Sequence, residues 1–191
     1  MNEKITLFLT LIWPIIPIFW IIVHGFPKLI NKIKYFVYFI AFIIFVSISF
    51  CLYANKDVLF LFKISLIDSL AITGYLFFSS GLILHIWTLL LLSFPGIIGI
   101  PEIKKDKSFN LMTKGPFSII RHPTYLAHTL IFFGSFLFTG YLVLLIISIL
   151  DFLVVNFIII PLEEKELTKR IGVKYIQYKK NVRWKLIPFI I

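Results

Sequence analysis

The chain has 191 residues, of which 60% are hydrophobic, 18% aromatic and only 15% charged, and its mean hydropathy is +0.99. Soluble domains carry about a quarter of their residues as charges, so this composition excludes a soluble globular domain and describes an integral membrane protein. The single cysteine excludes an intrachain disulfide framework, and the net charge of +10 lies beside apolar segments and in no separate basic domain, which argues against nucleic-acid binding.

The apolar runs are continuous and not alternating, so they predict helices and not a barrel. The expected fold is all-α: one membrane domain over residues 1–191, with about five transmembrane helices and a C-terminal amphipathic cytoplasmic helix. Span one covers roughly 5–23. Its thin basic flank (Lys4) and lack of a small-residue cleavage pattern mark it as a retained span and not a signal peptide, and Pro14 and Pro17 predict a kink. Span two, 35–54, follows the basic stretch Lys28–Lys34 and precedes Asn55-Lys56-Asp57. Cys51 within it reads as a small buried apolar residue. Span three, 66–94, exceeds the about 20 residues a bilayer needs, so it is expected to begin at the interface or to tilt, easing the burial of Asp68. Span four, 123–139, starts at Pro123, a favoured first-turn residue, and stops at Thr139-Gly140. Span five, 141–160, is expected to close at Pro161.

Five spans put the loops 24–34 and 95–122 on the same side as the C-terminal tail. All but Lys4, Lys56 and Lys63 of the 19 Lys and Arg residues then share that side, among them Lys104, Lys105, Lys107, Lys114 and Arg121. The positive-inside rule makes it cytoplasmic. In the tail, Leu167, Ile171, Tyr175, Tyr178 and Val182 recur at helical spacing and predict one amphipathic helix. Glu163, Glu164 and Glu166 open that helix, and Lys179, Lys180 and Arg183 close it, matching the helix dipole.

Two polar clusters bracket the hairpin of spans four and five. The first is Gly115-Pro116-Phe117-Ser118-Ile119-Ile120-Arg121-His122-Pro123-Thr124-Tyr125. Among Lys-rich flanks, Arg121 offers a planar fork for an anion, although an interfacial positive-inside charge would explain it as well. His122 reads either as a packed polar group or as a ligand contact. Tyr125, one turn into the same helix, can face the same pocket or serve as an interfacial aromatic. The second cluster is Glu163-Glu164. Helix N-terminal acids stabilise the dipole, which explains one carboxylate better than two. Adjacent helical positions point about 100° apart, so one can turn inward while the other meets water or a basic residue. A buried carboxylate needs a positive partner, and a cationic ligand would supply it.

Other polar residues carry weaker signals. Asp151 and Asn156, inside span five, are read as interhelical hydrogen-bonding groups. His85 and His128 lie in apolar surroundings and are read as satisfied bundle residues, and His24 sits by a loop. Four scattered histidines and one cysteine give no metal-ligand spacing, so no metal is expected. Gly96-Ile97-Ile98-Gly99 lacks the strand–glycine–helix context of a dinucleotide fingerprint.

The segment Leu111-Met112-Thr113-Lys114-Gly115-Pro116-Phe117, followed by Arg121-His122-Pro123-Thr124-Tyr125, resembles the core motif of the isoprenylcysteine carboxyl methyltransferases and the related phospholipid methyltransferases. Glu163-Glu164, Leu167, Ile171-Gly172, Tyr175, Tyr178, Val182 and Ile187-Pro188 fall at that group's spacings, so the resemblance spans roughly 109–188. It implies an S-adenosylmethionine-dependent methyltransferase without a Rossmann domain. Leu111, Met112, Phe117, His122, Pro123, Thr124 and Tyr125 would surround the cofactor, with Glu163 near its charged amino-acid end. A lipophilic or lipidated substrate would enter laterally between spans and meet the donor at the cytoplasmic boundary. Arg121 and Glu164 are the residues implied at the reacting centre: Glu164 or water would take a proton from an amine acceptor, and Arg121 or Arg170 would engage a carboxylate. Two departures stand out. Isoprenylcysteine enzymes carry an arginine where this chain has Ile159, and a tyrosine is usual where it has Phe117. Protein-S-isoprenylcysteine O-methylation and phosphatidylethanolamine-type N-methylation both remain open. So do an NADPH-dependent membrane sterol or enone reductase, which shares the arginine/histidine-proline-x-tyrosine helix start but lacks Glu-Glu-x-x-Leu, and a non-catalytic membrane protein.

Overall fold

The computed structural model of the protein describes residues 2–104 and 111–190. Lys105 and Lys107 of the basic loop, and residues 109–110 at the start of the resembling segment, lie outside the described residues. All named elements among the described residues are helical, as required where no water can satisfy the backbone. Four helical stretches, Asn2–Gly25, Phe36–Ala54, Asp68–Lys104 and Leu142–Ile171, are long and apolar enough to cross a membrane. A fifth helix, Pro123–Thr139, has 17 residues, at the lower bound of what spans a bilayer. Outward-facing Phe39, Phe50, Leu76, Ile83 and Leu90 leave an apolar surface of the kind lipid covers.

The first stretch is interrupted where its prolines fall. α1 (Asn2–Ile12) and α2 (Ile15–Gly25) meet at Trp13-Pro14. Pro17 cannot donate to the Trp13 carbonyl, which instead accepts from Ile16 N at 3.2 Å. α3 (Pro27–Ile33) leads to α4 (Phe36–Ala54), followed by the short α5 (Lys56–Phe60). Cys51 is exposed on α4, not buried within the bundle. α6 (Asp68–Ile97) breaks at Ser93, whose φ of 61° is non-helical, just before Pro95. Asp68 is its exposed first residue. α7 (Ile100–Lys104) and a 3-10 turn over Gly115–Ser118 precede α8 (Pro123–Thr139), which ends at Gly140.

α6 and α8 pack closely along their lengths because glycines remove the side chains between them. A Cβ on Gly134 would lie 2.6 Å from Phe78 N and 2.7 Å from the Gly74 carbonyl oxygen. Helices in lipid associate through such small-residue contacts.

Span five does not close at Pro161. α9 (Leu142–Val154) passes through a π-turn (Val155–Ile159) into α10 (Ile160–Ile171), with Pro161 in the first turn of α10. The wide turn bonds Ile160 N to the Val155 carbonyl. The Asn156 carbonyl, which Pro161 cannot serve, faces the Lys185 ammonium at 3.5 Å. The membrane helix therefore continues into the tail. The tail is also not one helix: Gly172, at φ 70° and ψ −132°, separates α10 from α11 (Val173–Asn181), a conformation open to glycine and strained for other residues. The expected apolar face survives the break, with Tyr175, Tyr178 and Val182 packed on Leu111, Leu167 and Ile171. Asp151 accepts from Trp13 Nε1 at 3.0 Å, linking α9 to the N-terminal helices.

Candidate functional site

The 115–125 segment and the tail are held together by the backbone. Ile120 and Trp184 form an isolated parallel bridge, with Arg121 N donating to the Trp184 carbonyl at 2.9 Å and His122 N to the Lys185 carbonyl at 3.0 Å. Beyond that bridge Leu186, fully buried, packs with Tyr125, Val155, Ile159 and Ile160. Tyr178 adds a third fastening, its hydroxyl donating to the Phe117 carbonyl at 2.7 Å. Two stretches far apart in sequence thus present their side chains to one space.

Within it the two glutamates do different work. Glu164 Oε1 accepts from Arg121 Nε at 2.7 Å and lies 3.3 Å from His122 Nε2, while Oε2 accepts from Lys179 Nζ at 2.6 Å. The Arg121 fork is completed by Nη1, which donates to the Val182 and Arg183 carbonyls at 2.9 and 2.6 Å. Glu163 accepts from the Tyr125 hydroxyl at 2.9 Å and lies 3.6 Å from His122 Nδ1. His122, 5% exposed, therefore stands between the two carboxylates.

Glu163, Arg121, His122 and Tyr125 line one end of a cavity of about 690 Å3. Leu111, Met112, Phe117 and Thr124 line it too; of the expected site residues, Pro123 and Glu164 do not. Pro123 starts α8 and shapes the segment without facing the space. The expectation that Glu164 takes a proton is revised, because both of its oxygens are already committed to cationic or imidazole partners. The cavity continues past His85 and His128 into an apolar part walled by Leu9, Ile12, Ile15, Phe42, Ile131 and Phe132.

Residues outside the expected set also contribute. Glu102, on α7, lines the polar end; its Oε1 accepts from Arg170 Nη2 at 2.7 Å and its Oε2 is buried without a hydrogen-bond partner. Arg170 is also held by Glu166 at 2.6 Å, one turn earlier on α10. The sequence carried a faint signal here: Glu102 is the sole acidic residue between Asp68 and Asp106. Tyr175 and Tyr178 line the same end. Burial holds both phenols above their ordinary pKa, so they remain protonated donors at neutral pH. The Tyr175 hydroxyl is buried without a partner. Ile159 is fully buried in the cluster with Tyr125 and Leu186 and does not face the cavity. Among the described residues no group of three or more His, Cys, Asp or Glu side chains is placed to hold a metal ion.

Compared with known proteins, the chain matches one family model, described as phospholipid methyltransferase, over residues 70–173. The match reaches further toward the N-terminus than the motif resemblance, taking in nearly all of α6, and it ends just past Gly172. No curated protein and no solved structure matches the chain.

Proposed function

The chain belongs to the phospholipid methyltransferase family of membrane methyltransferases, and from that premise we propose that it transfers a methyl group from S-adenosylmethionine to the amine head of a membrane lipid. The observation that carries this reading is the single cavity that joins the Glu163 carboxylate to a wall of Leu9, Phe42 and Phe132.

The polar end suits the proposed donor by its chemistry. S-adenosylmethionine would supply an activated methyl on a sulfonium, beside an ammonium. Glu163 faces that end, and the unpartnered Glu102 Oε2 offers a second unused polar contact. Phe117, Leu111 and Met112 offer apolar surface for a nucleobase, and the buried Tyr175 hydroxyl offers an unused donor. Tyr125 fixes the Glu163 carboxylate by its hydrogen bond, and His122 spaces it from Glu164. Methyl transfer depends mainly on proximity and alignment, which a cavity closed on one side by the tail can provide.

The apolar end suits acyl chains, entering between α1, α4, α6 and α8. An amine fits the charges better than a carboxylate. Arg121 is committed to Glu164 and two carbonyls, Arg170 to Glu102 and Glu166, and Ile159 turns away from the cavity. From the distribution of basic residues the reacting end faces the cytoplasm.

The test is transfer of labelled methyl from S-adenosylmethionine by the reconstituted protein, with phosphatidylethanolamine and a prenylcysteine offered together. Alkali-stable label on the lipid amine is expected. Alkali-labile label on the prenylcysteine would overturn the choice of acceptor. Saturable NADPH binding with no binding of S-adenosylmethionine would overturn the whole reading.

A further inference from the structure

The sequence reads His85 and His128 as satisfied packing residues, and the structure corrects this. His85 on α6 and His128 on α8 bring their rings to 4.9 Å between centroids. Both line the cavity, and the Nδ1 of each is buried with no hydrogen-bond partner. His128 is 8% exposed. The close approach is built in: a Cβ on Gly81, one turn before His85, would lie 2.9 Å from the Ala127 carbonyl oxygen beside His128.

Their position along the cavity is as telling as their unmet nitrogens. Going along α8, the lining residues are Thr124 and Tyr125, then His128, then Ile131 and Phe132. The pair therefore stands at the junction between the polar and apolar parts, where the head of a lipid would lie with its chains in the apolar part. A neutral imidazole carries one donor and one acceptor nitrogen, so the two unpartnered Nδ1 atoms can both orient an ammonium and take its proton.

We infer that His128, backed by His85, is the proton-accepting subsite for the head of a lipid amine. This rests on the methyltransferase reading and assigns its missing base. In the step, an N–H bond of the ammonium breaks, its electron pair stays on the amine nitrogen as the attacking lone pair, and a new N–H bond forms on the imidazole. The imidazolium then returns to neutral by releasing the proton to water as product leaves. Neither tail glutamate offers the same service: both oxygens of Glu164 are paired with cations, and Glu163 is engaged by Tyr125. The titratable neighbour facing His128 on its own helix is Tyr125, whose hydroxyl leads to Glu163 on α10, and on α6 it is His85. Across the cavity, α1 presents Leu9 and Ile12, while α4 presents Ala41, Phe42 and Tyr38, whose hydroxyl is bonded to the Ile98 carbonyl.

The test uses full-length protein in lipid nanodiscs with ring-labelled histidine, titrated without cofactor by lysophosphatidylethanolamine and by its quaternary analogue lysophosphatidylcholine. The His128 signal, assigned with His128→Gln, is expected to respond to the primary amine and not to the quaternary lipid. In turnover, His128→Gln is expected to lower kcat about a hundredfold at pH 7 with little change in KM. The deficit should shrink as pH rises toward the pKa of the amine, and binding of S-adenosylmethionine should persist. A His128→Gln pH profile identical to wild type, or a His128 ring silent to the amine, overturns the inference. The ring titration needs no turnover: a protein that methylates no amine yet keeps the selective ring response loses the acceptor reading and retains the subsite.

Discussion

Arg121 and Glu164 form a pair at 2.7 Å whose side chains are only 9% and 12% exposed, while Glu163, next in the chain, turns to the cavity and to Tyr125. Two adjacent carboxylates are thereby separated into a fastening and a cavity-facing group. Glu164→Ala is expected to leave Arg121 nearly buried without its anion and to lower stability by about 3 kcal/mol, read as a fall in Tm in detergent. Glu163→Ala should leave Tm close to wild type and weaken binding of S-adenosylmethionine at least tenfold by calorimetry. Equal Tm losses with unchanged affinity in both variants would remove the distinction.

Tyr125→Phe deletes one hydroxyl and no packing volume of consequence. The Glu163 carboxylate then loses its 2.9 Å donor, and its orientation in the cavity is released. A charge-assisted hydrogen bond is worth about 1.5–3 kcal/mol, so the donor affinity is expected to fall about tenfold while the protein still folds. Affinity equal to wild type would show that Tyr125 does not orient Glu163.

Much of this was legible in the sequence, and the parts that were not have physical causes. Continuous apolar runs and Pro123 and Gly140 located the helices, because helix boundaries in lipid follow composition and backbone chemistry. The Arg121–Tyr125 and Glu163–Glu164 clusters were visible as polar islands. Pro161 misled, because a proline that ends an isolated helix can be absorbed by a π-turn when the flanking helices are packed. Gly172 was hidden for the opposite reason: an apolar face continued across it at helical spacing. His85 and His128 read as ordinary core because no local pattern records a cavity formed between helices far apart in sequence.

Gly134→Val probes the contact that aligns α6 with α8. Its Cβ position lies 2.6 Å from Phe78 N and 2.7 Å from the Gly74 carbonyl oxygen, where backbone cannot yield cheaply. A loss of about 1–3 kcal/mol is expected from overpacking, with lower Tm and weaker lipid-acceptor binding, since the same two helices carry His85 and His128. An unchanged Tm would mean that the helices separate without penalty.

The tail should unlock at high pH. Burial raises the phenols of Tyr175 and Tyr178, with Glu164 and Glu163 adding to the shift. A group favoured in its neutral form when folded contributes stability that is full below its unfolded pKa, about 10, and lost as pH rises through the higher folded value. The Tm is therefore expected to stay level from neutrality to about pH 10 and to fall above it. Tyr178→Phe should lessen that alkaline fall while giving up the 2.7 Å bond to Phe117. A Tm indifferent to pH through that range would contradict the burial argument.

The π-turn at Val155–Ile159 makes the helix that carries the glutamates a keyed shaft. A wide turn takes up one residue more than an α-turn, so every side chain beyond it is rotated by about 100° from where an uninterrupted helix would aim it. With regular geometry throughout, Leu162 would stand where Glu163 stands and Glu163 where Glu164 stands. Removing one residue inside the turn would straighten the helix and leave both carboxylates correctly aimed, whereas straightening it at constant length would present leucine to the cavity. The chain should therefore accept a one-residue deletion there more readily than a substitution that abolishes the turn.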